Sequence, residues 1–366
     1  MCTTTPENGA NQTAQPMPRA AKGGGSGIIA TGARMYAQGI NELVGKAAAA
    51  DQTQLDLSGL LQGVTLPDVG HLTHLTELYL ANNGLTTLPP GIERLRKLEI
   101  LDISGNQFLQ PPAEINALPS LWRLDLSRNR LTHLTEEFCG VVTLEWLSLF
   151  GNSLSELLPE IGRMTNLMEL GLGSNALTAL PRQFGRMKHL VWLGLNRNRM
   201  RELPPEIGKL KRLEFIDVSE NDLTHLPPQI GRLRSLDTLI ASHNRLIALP
   251  EEIGKLKKLQ RLVLFENRLQ TVPPQIGGLS HVTELDLSVN ELTALPAEIG
   301  KLRRVRKLLL SDNRLTALPP QIGRLTELTV LSADNNPMYA VPETVRDQGV
   351  AAVKNHIGRG RGKGAA

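Results

Sequence analysis

The sequence predicts an α/β solenoid, a curved horseshoe of about 12–13 coils with a parallel sheet inside and helical caps at its ends. Three observations carry this. A 23-residue unit, represented by residues 190–212 (LVWLGLNRNRMRELPPEIGKLKR), recurs from about residue 52 to residue 336. Eleven complete copies run from Leu75 to Glu327 without an insertion or deletion. Within the unit, apolar residues hold positions 1, 4, 6, 11, 14, 18 and 21, with Asn at 9, Pro at 15 and Gly at 19. A unit so short covers its apolar side only by stacking on copies of itself.

Each position has a physical reason. Leu193 and Leu195, at positions 4 and 6, alternate with residues 3, 5 and 7, which is the period of a strand that turns one face inward. Copies in the same orientation stack their strands in parallel. Asn at position 9 forms a ladder from Asn83 through Asn198 to Asn336. Where the backbone leaves the strand and turns inside, its amide groups need partners, and a carboxamide both donates and accepts. Position 9 is therefore read as structural. The Leu203-Pro204 pair at positions 14 and 15 fixes φ and withholds an N–H, so the convex side is expected to be extended or 3₁₀ rather than α-helical. The pattern L-x-x-L-x-L-x-x-N-x-L at this period is that of a leucine-rich repeat.

The ends differ from the array. Residues 1–27 are rich in Thr, Asn, Gln, Pro and Gly, the composition of a disordered leader. Residues 28–51 bring Ile29, Tyr36, Ile40, Leu43 and Val44 at helical spacing, which predicts an amphipathic helix over the first coil. The repeats occupy 52–336. A C-terminal cap is expected over 337–358, closed by a helix carrying Val345, Val350, Val353 and Ile357, and a basic flexible tail over 359–366. Inside the array, Pro111, Thr135, Cys139 and Leu158 break the consensus, so the coils that carry them are expected to be less regular.

Composition narrows the function. The chain has net charge +4, but residues 51–336 hold 31 basic and 32 acidic residues, which argues against a nucleic-acid groove. Two cysteines, Cys2 and Cys139, cannot staple the caps, and this points to a reducing, cytoplasmic compartment. There is no apolar run of membrane-spanning length and no secretory h-region.

The titratable residues form no catalytic or metal-binding constellation in the repeat pattern. His74, His189 and His281 share position 23 but lie four and five coils apart, roughly 20 Å or more at ~4.8 Å per coil, too far to share a metal. Asp102 and Asp125 occupy position 5 of adjacent copies beside Arg123, close enough to perturb a pKa. Because Asp217-Val218-Ser219 and Asp286-Leu287-Ser288 repeat the same Asp-x-Ser pattern elsewhere, the pair is read as repeat sequence on an open face. Cys139, at a turn-glycine position beside Phe138, reads as a buried inert thiol. The chain is expected to be a non-enzyme with no cofactor, no metal and no small-molecule substrate.

The L-P-x-x-I-G-x-L unit resembles that of the intracellular Ras-group leucine-rich repeat proteins, over about residues 52–345. Leu55-Asp56-Leu57-Ser58-Gly59-Leu60 and Asn336-Pro337-Met338, with Pro342, Gln348 and Gly349, resemble the caps of bacterial Roco-type repeat domains. The resemblance implies a signalling scaffold whose partner is a small GTPase or its regulator. No phosphate-binding loop is present, since Gly362-Lys363-Gly364 lacks the hydroxyl residue.

A protein partner is expected on the concave face. Positions 3, 5 and 7 hold six of the twelve aromatic residues: Tyr79, Trp146, Phe150, Trp192, Phe215 and Phe265. Such side chains point away from the core, and aromatics grouped there mark a recognition surface. Gly171, Gly173 and Gly194 are expected to leave a bare notch between Trp146 and Phe150 on one side and Trp192 and Phe215 on the other. Ile240, Val263 and Phe265 form a second apolar spot, with Arg123, Arg197 and others supplying charge, while convex cations such as Lys211 are expected to be solvated. The alternative function is a bacterial effector that uses the same face on a host protein and is delivered by its N-terminal leader.

Overall fold

A computed structural model describes residues 32–49, 52–61, 67–89, 91–338 and 350–352. Among them, thirteen strands of three residues each, β1 (Gln54–Asp56) to β13 (Val330–Ser332), form one parallel sheet in sequential order. Each step advances the register by 23 residues: Trp192 lies opposite Glu169 on one side and Phe215 on the other. Every repeat position thus becomes a row across the sheet. Leu193 and Leu195 are completely buried, as are their counterparts on the internal strands, in a single continuous core, while Leu331 on the last strand is half-buried.

The convex side is built of 3₁₀ turns, from Ile92–Arg94 to Pro320–Arg324. Pro204 (φ −65°, ψ 145°) delivers an extended backbone into the turn Pro205–Lys209, which buries Ile207 and closes with the Leu210 N–H donated to Ile207 O. Position 19 must be small here: a Cβ on Gly208 would sit 2.5 Å from the Gln229 carbonyl oxygen of the next coil. The consensus breaks have unequal effects. Leu158 adopts the same extended conformation as the prolines (φ −64°, ψ 149°), and the coil with Pro111 keeps a five-residue turn, Ala113–Ala117, so neither is disturbed. Only the coil with Thr135 departs, since Glu137 turns α-helical (φ −60°, ψ −45°), the 3₁₀ turn shrinks to Phe138–Gly140, and the Thr135 hydroxyl accepts the Phe138 N–H.

The asparagine ladder is a repeated bracket. Asn198 donates from Nδ2 to Leu172 O and Leu195 O, both at 3.0 Å, and accepts the Leu177 N–H on Oδ1, also at 3.0 Å. One carboxamide therefore ties two adjacent coils at three points. The residue before it is left-handed in every regular coil, with Arg197 at φ 56°, Glu220 at 52° and His243 at 51°.

At the N-terminal end, α1 (Gly32–Ala49) puts Ile40, Val44 and Ala47 into the core. The buried stripe is turned from the expected one: Leu43 is exposed, because the i, i+4, i+7 line that meets the first coil runs through Ile40, Val44 and Ala47. The His74 ring nitrogen lies 3.2 Å from Ala47 O and ties the helix to the first coil. The leader 1–27, the tail 359–366 and the expected C-terminal helix fall outside the described residues, except for 350–352, where Val350 packs against the core.

Candidate functional site on the concave face

The rows at positions 3, 5 and 7 are mostly half-buried rather than exposed, because neighbouring side chains lie against one another across narrowly spaced strands. The aromatic residues organise this face. On β5 (Trp146–Ser148) the Arg123 guanidinium lies 4.1 Å from the centroid of Trp146. Trp192, on β7 (Trp192–Gly194), stacks on Phe215, on β8 (Phe215–Asp217), with centroids 5.3 Å apart and planes 4° from parallel. Phe265 meets His243 edge to face at 5.1 Å. Tyr79 donates to Glu77 Oε2 at 2.6 Å, and burial together with this carboxylate pushes its phenol well above the usual tyrosine range.

The glycine floor is not bare. A Cβ on Gly194 would lie 2.6 Å from Trp192 Cη2, so the indole of the same strand already covers that glycine. A Cβ on Gly173 would be 3.0 Å from Phe150 Cδ2 and would collide with Asn196 Oδ1. Both glycines are buried. Absent Cβ atoms give the rings somewhere to lie, and the rings fill that space. Only Gly171, on β6 (Glu169–Gly171), stays open: its nearest neighbour would be Ser148 Oγ at an ordinary 3.6 Å. The expected notch is thus reduced to a single saddle at Gly171.

Two further expectations change. Val263 is only 9% exposed, so the second apolar spot consists of Ile240 and Phe265. Arg197, itself the left-handed residue just past the end of its strand, has its Nε 2.8 Å from Glu220 Oε1. On the convex side Lys211, though exposed, is tethered as well as solvated, donating to Gly208 O at 2.7 Å and Arg232 O at 3.1 Å across two coils.

Asp102 and Asp125 are adjacent in register, as expected, and Asp125 is pushed up to about 6, first by burial and then by the Asp102 charge. Their Oδ1 atoms accept the Ser104 and Ser127 N–H groups, and Asp217 and Asp286 do the same for Ser219 and Ser288. The Asp-x-Ser pattern is a backbone bracket. Cys139 is fully buried, and burial pushes its thiol up to about 11. His189 and His281 each turn Nδ1 to a carbonyl of the preceding coil, Thr165 O and Lys257 O. Among the described residues no group of three His, Cys, Asp or Glu side chains is placed to hold a metal, and no helix is long and apolar enough to cross a membrane. An open cleft of about 350 Å³, lined by Gln260, His281, Thr283, Arg304, Arg306 and Glu327, lies on a lateral edge the sequence did not single out.

A family model described as a leucine-rich repeat region matches residues 54–179 and 178–271, more than half of the chain, and a second, leucine rich repeat, matches 257–315. The chain belongs to the leucine-rich repeat family. Its repeats are 34% identical over 65 residues to Ras suppressor protein 1 of Bos taurus, covering 17% of this chain and 24% of that protein. The chain thus matches about a quarter of that relative's length. Among solved structures, the internalin inlF of Listeria monocytogenes superposes with a TM-score of 0.70 at 21% identity, covering 82% of this chain and 89% of that one. The plant peptide hormone receptor RGFR1, in complex with RGF2, superposes with a TM-score of 0.65 at 34% identity, covering 78% of this leucine-rich repeat chain and 46% of the receptor. Leucine-rich repeat proteins generally serve as protein interaction modules rather than enzymes.

Proposed function

We propose that the chain is a non-enzymatic scaffold that grips a protein partner on its concave face, centred on the strands from Arg123 to Phe215. The observation that supports this most is the pair of stacked groups in one row, Arg123 on Trp146 and Trp192 on Phe215, facing away from the core. Rigid aromatic surface outside a core contributes most when a partner covers it. RGFR1, solved with RGF2, lends the fold-level precedent of a repeat array that recognises a polypeptide. The 65-residue similarity to Ras suppressor protein 1 supports placing the chain with the Ras-group proteins, in cytoplasmic signalling, with a small GTPase or its regulator as the partner class. Delivery into a host cell rests on the leader alone, which lies outside the described residues.

Affinity capture with the intact protein tests the reading. Trp192→Ala is expected to weaken capture by about 2 kcal/mol, roughly thirtyfold, while circular dichroism stays unchanged, since the side chain lies outside the core. Lys258→Glu, an exposed position away from the concave face, is the control. Capture that survives Trp192→Ala and fails with Lys258→Glu overturns the assignment.

A further inference from the structure

The row at position 3 reads Arg123, Trp146, Glu169, Trp192, Phe215 on five successive strands. Arg123 occupies one face of Trp146 from one side, and Phe215 occupies one face of Trp192 from the other. The strand between the tryptophans contributes neither ring nor cation. It contributes Glu169, which is exposed and whose carboxylate makes no hydrogen bond or ion pair among the described residues, and Gly171, the one concave glycine at which an added Cβ would meet only ordinary contacts. At ~4.8 Å per strand the two tryptophans stand ~10 Å apart along the sheet, room for one side chain between them. Two indoles beside a free carboxylate over an open floor form a site of definite chemistry. Indole faces attract cations, and a carboxylate that is not already neutralised adds to that attraction.

We propose that the saddle between Trp146 and Trp192 takes a cationic side chain, a lysine or arginine, of the protein partner. This rests on the concave face being the partner surface and names what it recognises there.

The chain has three tryptophans, and Trp122 at position 2 lies off the row, so indole N–H signals of the intact, tryptophan-labelled protein provide two reporters and an internal control. Titration with N-acetyl-arginine amide is expected to shift the Trp146 and Trp192 signals and leave Trp122 in place. N-acetyl-glutamine amide, neutral and of similar size, should shift neither. Glu169→Gln is expected to weaken the arginine response about fivefold. Gly171→Leu should abolish it while preserving the fold, because a Cβ there meets nothing closer than 3.6 Å. Equal responses to the two probes, no response at Trp146 and Trp192, or an unchanged affinity in Glu169→Gln overturns the proposal. If any of these occurs while Trp192→Ala still loses partner capture, the concave-face reading stands and only the cation site falls.

Discussion

Asn198→Ala removes one rung from the middle of the ladder, and the hydrogen bonds around it set the size of the effect. Leu195 O accepts from both Asn198 and Asn221, and Leu172 O accepts from both Asn175 and Asn198, so each carbonyl retains a partner after the substitution. The Leu177 N–H keeps none, because Asn198 Oδ1 is its acceptor in a buried position. One orphaned buried donor costs ~1–3 kcal/mol, and the doubly bonded carbonyls keep the loss from growing to a multiple of that. The expected destabilisation is therefore ~2 kcal/mol, read as a lower midpoint in equilibrium urea unfolding with an unchanged slope. Asn198→Asp retains the acceptor but turns a carboxylate toward two carbonyl oxygens, and should be worse than alanine. If Asn198→Ala unfolds at the wild-type midpoint, or if aspartate is better tolerated than alanine, the ladder is not what satisfies the inner turn.

The glycine assignments separate by substitution: Gly194→Ala should destabilise the protein and displace Trp192, whereas Gly171→Ala should be neutral, since only the former would place a Cβ 2.6 Å from a ring atom. Thermal unfolding and tryptophan fluorescence check both, and equal effects would contradict the covered floor. Burial raises Asp125 to about 6 in the folded state, against ~3.9 in an unfolded chain, so the folded state holds the proton more tightly and stability falls as pH rises from ~4 to ~6. Asp125→Asn keeps the acceptor for Ser127 and should remove that part of the slope, gaining at most ~3 kcal/mol at neutral pH; an identical pH dependence in the two proteins would refute the assignment.

Much of the fold was legible because the repeat states each constraint a dozen times. An apolar residue at position 4 or 6 means little once; at a fixed 23-residue interval it specifies a parallel row. The ladder and the 3₁₀ convex side followed from the chemistry of Asn and Pro. What the sequence concealed was the left-handed residue at position 8. Arg197, Glu220 and His243 hold φ between 51° and 56° without being glycine, so Gly105 and Gly151 at the same position of two other coils did not announce the bend along the whole array. A left-handed non-glycine residue costs roughly 1 kcal/mol or more, and the next residue in each case is the ladder asparagine, whose side-chain bonds hold the turn. The strain and its compensation are neighbours in sequence, visible as a pair only with the backbone in hand.

The site was less legible for a reason that belongs to side chains rather than to the repeat. Alternation along a strand says which residues face the cavity, and it placed Trp146, Trp192 and Phe215 correctly on one row. It says nothing of the direction in which a large side chain then leans. Trp192 leans along its own strand over Gly194, and Phe150 leans over Gly173, so the glycines that seemed to open the floor are what allow the rings to close it. Gly171 escapes because its own strand carries Glu169 and Gly173 on either side of it on the concave face, and neither supplies a ring to lie over it. The open point on the face is therefore set by two conditions together, glycine on the strand and no aromatic residue beside it. Applied along positions 3, 5 and 7, the pair of conditions selects the strand between the two tryptophans, since the other strand with a concave glycine carries Trp192.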